Sequence, residues 1–412
     1  MTVLWTNWVG NQSCAPRRIE APRDEEEVRR AVVRAAGEGL TVRVAGAGHS
    51  FTPVVCTDGV IVDLAALAGV TAIDAGAKRV SALGGTRISA LGDPLWDAGL
   101  SLVNMGDIDA QALGGASATA THGSGITLPS LSASLRAARL VTASGDALEV
   151  SRERDPDVFR AAQVAIGMLG IMTEVTLEVT DAYTLHERLS YVELDEVVER
   201  YEELLDSHRQ FSFFYFPSER SAALYGEATT APAPGTDRRA DVCSVKVMDA
   251  LPADEPLRAP GPGERIDRMD RICPSVFEPN FHEMEYMVPI AHGKEVLLEV
   301  RELLLTRRRD AIYPVECRFT AGDDAFLSPN VAGPTAVVSV SGGPGTDYWP
   351  FLADCDTIFR AHGGRPHWGK LHFMTRERVD ELFPEIDRFR ELRRELDPDG
   401  VFLNSHLRPL FA

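Results

Sequence analysis

Apolar positions recur at helical spacing through residues 21–39 (APRDEEEVRRAVVRAAGEG), where Val28, Ala31, Val32 and Ala35 share one face. Acids lead this stretch and glycine closes it, so the pattern predicts an amphipathic helix. A strand follows at 41–44 and runs into Ala45-Gly46-Ala47-Gly48-His49-Ser50-Phe51, with a second β-rich segment at 59–64. Further on the pattern predicts a strand at 79–83, a helix at 87–98, short strands at 140–142 and 148–150 around Ser144-Gly145-Asp146, and a clear strand at 171–179. These strands are linked too irregularly for a simple alternating βαβ sheet, so residues 1–180 read as one α+β unit.

Beyond Asp181 the pattern changes. A charged helix is expected at 194–208 and an aromatic strand at 211–216. Pro, Ala, Gly and charges crowd 228–263, which reads as a surface excursion rather than core. Strands at 281–289, 313–319 and 336–340 and a helix at 293–307 predict an antiparallel sheet covered by helices. A charged helix at 376–396 ends at Asp397-Pro398-Asp399-Gly400.

Composition narrows the functional classes. The chain has 412 residues, 44% of them hydrophobic, enough for two or three packed domains. Its formal charge of −19 repels nucleic acid and anionic lipid, so neither is expected as a partner. The first residues lack the basic start and apolar run of a signal peptide, which points to the cytoplasm. Six scattered cysteines, without C-x-x-C pairs or histidines at zinc-finger spacing, read as buried reduced thiols, and no metal is expected.

Gly46-Ala47-Gly48 invites a dinucleotide reading, because glycine lets backbone approach a pyrophosphate. The Rossmann version fails on context: a helix precedes the strand, His49-Ser50-Phe51 fills the later positions, and another strand follows. What remains is a nest of amides with a histidine at its exit. Taken alone, His49 is equally a loop histidine satisfied by a carbonyl. A second stretch of small residues, 114–125, has hydroxyls and amides enough to wrap a phosphorylated ligand, so the two loops together suggest one extended cofactor.

At this point the residues become recognisable. The segment Val42-Arg43-Val44-Ala45-Gly46-Ala47-Gly48-His49-Ser50-Phe51 resembles the flavin-attachment loop of the vanillyl-alcohol-oxidase-type FAD enzymes, more narrowly their aldonolactone and alditol oxidase branch. The likeness continues through Asn104-Met105-Gly106-Asp107, 115–125, Gly167-Met168-Leu169-Gly170-Ile171, Glu316-Cys317-Arg318, Arg365-Pro366-His367-Trp368-Gly369-Lys370 and Leu396-Asp397-Pro398 with Asn404. It implies an FAD-binding domain of two α+β subdomains (1–180), a substrate-binding cap with an antiparallel sheet (181–370), and a C-terminal segment returning to the FAD domain (371–412). It also implies FAD bonded covalently through His49. Relatives that attach flavin twice use a cysteine in the later small-residue stretch; none lies between Asn104 and Gly125, so a single histidyl linkage is expected. The implied cofactor contacts are Val44, Ala45, Gly46, Ala47, Gly48, His49 and Ser50 in the first loop. In the second they are Gly106, Asp107, Gly115, Ala116, Ser117, Ala118, Thr119, His122 and Gly123, joined by Ile171 and Lys370.

Carbinol oxidation needs a hydride acceptor, a group to take or polarise the hydroxyl proton, and fixed charge for the developing alkoxide. By the resemblance, Glu316, Arg318 and Lys370 are the catalytic candidates, with Lys370 also near the flavin N1 and O2 edge. Glu316 and Arg318 leave the same face of a strand while Cys317 points away; the bland reading is an ion pair on a solvated sheet. Asp107, Ser339 and Ser341 complete the expected substrate contacts. Two positions depart from the polyol-oxidising relatives. The strand after Glu-x-Arg has only serines where they carry an imidazole, and Asp107 stands where they have a hydroxyl residue. That acid favours a different hydroxyl pattern or a cationic substrate group; it is equally an Asp held by its own turn. His367 is expected to pack against Trp368 rather than act as acid or base. Gly106 leans toward O2 as the electron acceptor.

The implied function is FAD-dependent oxidation of a carbinol in a sugar-1,4-lactone or alditol, oxidase rather than dehydrogenase. The alternatives are the same chemistry on an aminosugar or nucleoside carbinol, and a catalytically idle flavin-binding homologue.

Overall fold

Asp24 sets the start of the first long helix: its carboxylate accepts the Glu27 N–H, and the helix runs Glu25–Gly37, later than the pattern alone predicts because Asp24 is the cap. The computed structural model describes residues 3–226, 238–251, 258–275 and 281–412. Val28, Ala31, Val32 and Ala35 of this helix are buried, as their spacing predicts. They pack on a three-stranded parallel sheet in which Val60–Asp63 lies between Arg18–Glu20 and Val42–Ala45. Val401 and Phe402, near the end of the chain, join the same core.

A second sheet is antiparallel and six-stranded, with Ile171–Asp181 at its centre, pairing Leu135–Val141, Arg79–Leu83 and Leu100–Leu102. The irregular strand linkage thus resolves into two separate sheets in the first part of the chain.

Thr184–Glu193 opens an eight-stranded antiparallel sheet. Its order is Glu264–Arg268, Thr184–Glu193, Arg239–Ala250, Gln210–Ser218, Val315–Thr320, Thr335–Gly342, His282–Pro289 and Arg365–Pro366. The helices Gly293–Thr306 and Trp349–Ala361 cover one face, where Val296, Val300, Leu303 and Phe359 meet Cys317, Val338 and Tyr286. Period-two alternation sends Glu316 and Arg318 to the other face.

Three expectations are corrected. The predicted helix at 194–208 is two, Leu194–Glu199 and Tyr201–Ser207, parted at Arg200. The tail helix is also two, Arg376–Leu382 and Ile386–Leu396, because Pro384 between them has no N–H to donate. Within 228–263, the supposed surface excursion, Arg239–Ala250 is an interior strand that buries Cys243, Val245 and Val247. Its apolar alternation was masked by the crowded flanks; 227–237 and 252–257 lie outside the described residues. No helix among the described residues is long and apolar enough to cross a membrane.

Candidate active site

The two small-residue loops pack back to back. A Cβ on Gly46 would lie 2.8 Å from the Ala112 Cβ, so glycine allows the 46–50 loop to reach the start of the short helix Leu113–Ala118. Between these loops and the free face of the eight-stranded sheet lies a cavity of about 1020 Å³. That is the size of a site for a large cofactor. Its walls bring together Val44, 46–50, Gly106 and Asp107 with Gly115, Ala116, Ala118, Thr119 and His122. Facing them are Glu316, Arg318, Ser339, Ser341 and Lys370. Four expected contacts do not reach it. Ala45 and Ile171 belong to the hydrophobic cores, Ser117 is turned inward, and Gly123 is pressed against the Met105 carbonyl, 2.1 Å from where its Cβ would stand.

The walls suit an anionic, extended cofactor. Among the described residues no hydrogen bond takes up the N–H groups of Ala47, Gly48, His49 or Ser50. Thr121 Oγ1 is buried at the cavity without a partner, and a Cβ on Gly115 would meet nothing within 4 Å. Unspent donors around open space form a cradle for phosphate oxygens. The His49 ring stacks on Trp8 at 5.0 Å and its Nδ1 lies 3.2 Å from the Ala47 carbonyl. Burial lowers its pKa below the ordinary histidine value, so the ring is neutral at neutral pH.

Arg43 organises the floor. Its buried guanidinium donates to the carbonyls of Val54 (2.6 Å), Ile166 (2.6 Å) and Phe402 (2.5 Å), joining three distant segments. Burial pushes its pKa down to about 10, which still leaves it charged. The Ile166 backbone sits at φ 52°, a costly conformation for a β-branched residue, and its carbonyl is held by Arg43.

On the opposite wall the ion pair expected on a solvated sheet is instead the centre of a buried network. Arg318 Nη2 donates to Glu285 at 2.7 Å, and Arg318 also faces Asp107 at 3.4 Å and Glu316 at 3.5 Å. Glu285, fully buried, accepts from His122 Nε2 at 3.1 Å and from Ser339 Oγ at 2.7 Å. Ser339 Oγ is also 2.8 Å from Glu283, whose other oxygen accepts from Lys370 Nζ. A hydroxyl has one hydrogen, so both serine contacts are hydrogen bonds only when one carboxyl brings a proton of its own.

The charges are tuned unequally. Burial works against ionisation of Glu285, but His122 and Arg318 hold its pKa well below the usual carboxylate range. Glu316 goes the other way: burial first, then the neighbouring carboxylates, push it up to about 7 despite Arg318. Asp107 is lowered, because Lys246 at 3.8 Å and Arg318 outweigh its burial. Its charge is met by the protein itself, not by its own turn.

Sequence reasoning missed Glu283, Glu285, Lys246 and the architectural part of Arg43. The signal for the first two was present: acids at period two in the otherwise apolar strand His282–Pro289. His367 is a correction. Trp368 packs on Phe383 and Phe411, while the His367 ring turns to the cavity, 5.9 Å from His122. Burial lowers its pKa to about 3, and its Nδ1 accepts the Gly369 N–H.

Comparisons with known proteins agree with this geometry. A family model described as FAD binding domain matches residues 16–151, and one described as D-arabinono-1,4-lactone oxidase matches 175–250 and 269–410. The chain belongs to the D-arabinono-1,4-lactone oxidase family. It is an FAD-dependent oxidoreductase. The L-gulono-1,4-lactone dehydrogenase of Mycobacterium tuberculosis is 35% identical over 99% of both chains. The L-gulonolactone oxidase of Bos taurus is 31% identical over 99% of this chain and 98% of its own. An alditol oxidase of Streptomyces sp. is 29% identical over 100% of this chain and 99% of its own. Among solved structures, a solvent-stable cholesterol oxidase superposes with a TM-score of 0.83 at 17% identity, covering 100% of this chain and 98% of its own. That likeness is one of fold.

Proposed function

We propose that the protein oxidises a carbinol of a sugar-1,4-lactone or an alditol, using FAD tethered through the His49 ring, with O2 as the electron acceptor. The observation that carries this reading is that Glu316, Arg318 and Lys370 face the same cavity as the 46–50 loop. Residues 1–180 would form the cofactor-binding domain, 181–370 the cap and 371–412 the returning segment. Supporting the return, Asn404 Nδ2 donates to the carbonyls of Pro53 and Cys56 at 2.9 and 2.8 Å.

Bound FAD supplies the hydride acceptor. Arg318 and Lys370 bind the substrate oxygens and stabilise negative charge as it develops on the reacting one. Glu316, poised near neutrality, takes the hydroxyl proton. Ser339, between Glu283 and Glu285, holds the carboxylates of the wall in register where relatives carry an imidazole. The neutral His49 ring offers an unprotonated nitrogen for the tether. Because Lys246 and Arg318 already meet Asp107, a cationic group on the substrate has no free counter-charge there.

Gly106 lies in the cavity wall, where the oxidase reading expects a small residue, and packing asks for glycine as well: a Cβ would lie 2.7 Å from the His122 carbonyl.

Anaerobic mixing with L-gulono-1,4-lactone or xylitol is expected to bleach the flavin absorbance, and Lys370→Met to abolish bleaching while FAD stays bound. Bleaching by amino sugars but not by lactones or polyols would overturn the substrate reading. Dye reduction without oxygen uptake would make the enzyme a dehydrogenase. Acid precipitation tests the tether: yellow colour remains with the protein and leaves with His49→Ala.

A further inference from the structure

His292, Glu295 and His362 each place one ligand atom within 4.8 Å of the others. His292 closes the turn Ile290–His292, Glu295 lies in the first turn of helix Gly293–Thr306, and His362 ends helix Trp349–Ala361. Both helices cover the sheet face opposite the cavity, so the cluster is separate from the candidate active site.

Its hydrogen bonding is incomplete in a specific way. His362 Nε2 lies 2.8 Å from Glu299 Oε1, and the neutral tautomer that donates to this carboxylate keeps its lone pair on Nδ1. That lone pair faces Glu295 Oε2 at 3.6 Å, too far for a hydrogen bond, and His292 Nδ1 reaches the same oxygen at 3.5 Å. Three ligand atoms from three different elements thus converge on one point. Lys294, the nearest lysine in the chain, turns away to Glu202.

We propose that His292, Glu295 and His362 bind a divalent transition-metal ion of the zinc class. Metal–nitrogen and metal–oxygen bonds of roughly 2.0–2.2 Å place tetrahedral ligands about 3.3–3.6 Å apart; both histidine Nδ1 atoms lie at that spacing from Glu295 Oε2, and all three ligand atoms fall within 4.8 Å of one another. Glu299 supplies the outer carboxylate that fixes the tautomer and orientation of a metal-bound histidine. Two neutral imidazoles, one carboxylate and a position left for solvent suit zinc better than calcium or magnesium, which take oxygen ligands. The ion clips the start of one covering helix to the end of the other. One helix follows the strand bearing Glu283 and Glu285, and the other precedes the segment bearing Lys370, so the clip restrains both supports of that wall. Cysteine arithmetic could not find this site; the only local trace is the His292-x-x-Glu295 spacing.

Zn²⁺ is titrated calorimetrically into FAD-loaded, chelator-washed full-length protein, and thermal unfolding is followed with and without it. One saturable equivalent and a raised Tm are expected, both lost in His292→Ala and His362→Ala. Glu299→Gln, which removes no ligand, is expected to weaken binding about 10–100-fold. His208→Ala, which removes a histidine paired with Asp249 elsewhere, leaves binding unchanged. Flavin absorbance and circular dichroism report whether each variant is folded, and exposed Glu299→Gln keeps the test decisive if a histidine variant fails. Absence of a saturable equivalent in the parent, or equal binding in Glu299→Gln or in the folded histidine variants, overturns the proposal.

Discussion

Glu316 and Arg318 belong to a buried network whose other members, Glu285, Ser339 and Lys246, come from three other strands. Their pKa values follow from that convergence. As the proposed base, Glu316 acts only when ionised, so kcat/KM is expected to rise with pH and level off above about 7. A pH-rate series on the parent and Glu316→Gln checks this: the variant should lose the inflection and about 10²–10⁴ of rate. The same inflection in both would assign it to another group. Ser339→Ala leaves two carboxylates facing each other without the bridging hydroxyl. Its expected signature is a fall in kcat greater than any rise in KM, measured under steady-state turnover; unchanged kcat denies the serine its part in positioning the wall.

Most elements follow from their own patterns. Asp24, the acids after it and the spacing of Val28 to Ala35 specify the first helix without help. The exceptions have local physical causes: Pro384 divides the tail helix, and apolar alternation in Arg239–Ala250 is diluted by its flanks. That strand is recognisable as interior only once Thr184–Glu193 and Gln210–Ser218 pair with it on either side. The helix Gly293–Thr306 buries Leu303, 2% exposed, against the sheet. Leu303→Ala is expected to cost about 2–5 kcal/mol, read by urea denaturation, and a cost below about 1 kcal/mol would deny this helix its place in the core.

At the scale of the whole molecule, Arg43 is the tie between beginning, middle and end of the chain. Arg43→Met leaves carbonyls of Val54, Ile166 and Phe402 without their donor, and each such buried group costs about 1–3 kcal/mol. A lowered Tm with weakened FAD retention is the expected result; full FAD retention at the parent Tm would show the three segments held by other contacts. The chain by itself determined its α+β character, the two small-residue loops at 46–50 and 114–125, and the acid–base row at 316–318, because periodicity, glycine placement and motif order are properties of neighbouring residues. Only tertiary structure decided which groups surround that row, which carboxylates are ionised, and that His367 faces the cavity rather than Trp368. Burial and electrostatic potential are sums over groups far apart in the chain, and no local pattern carries them.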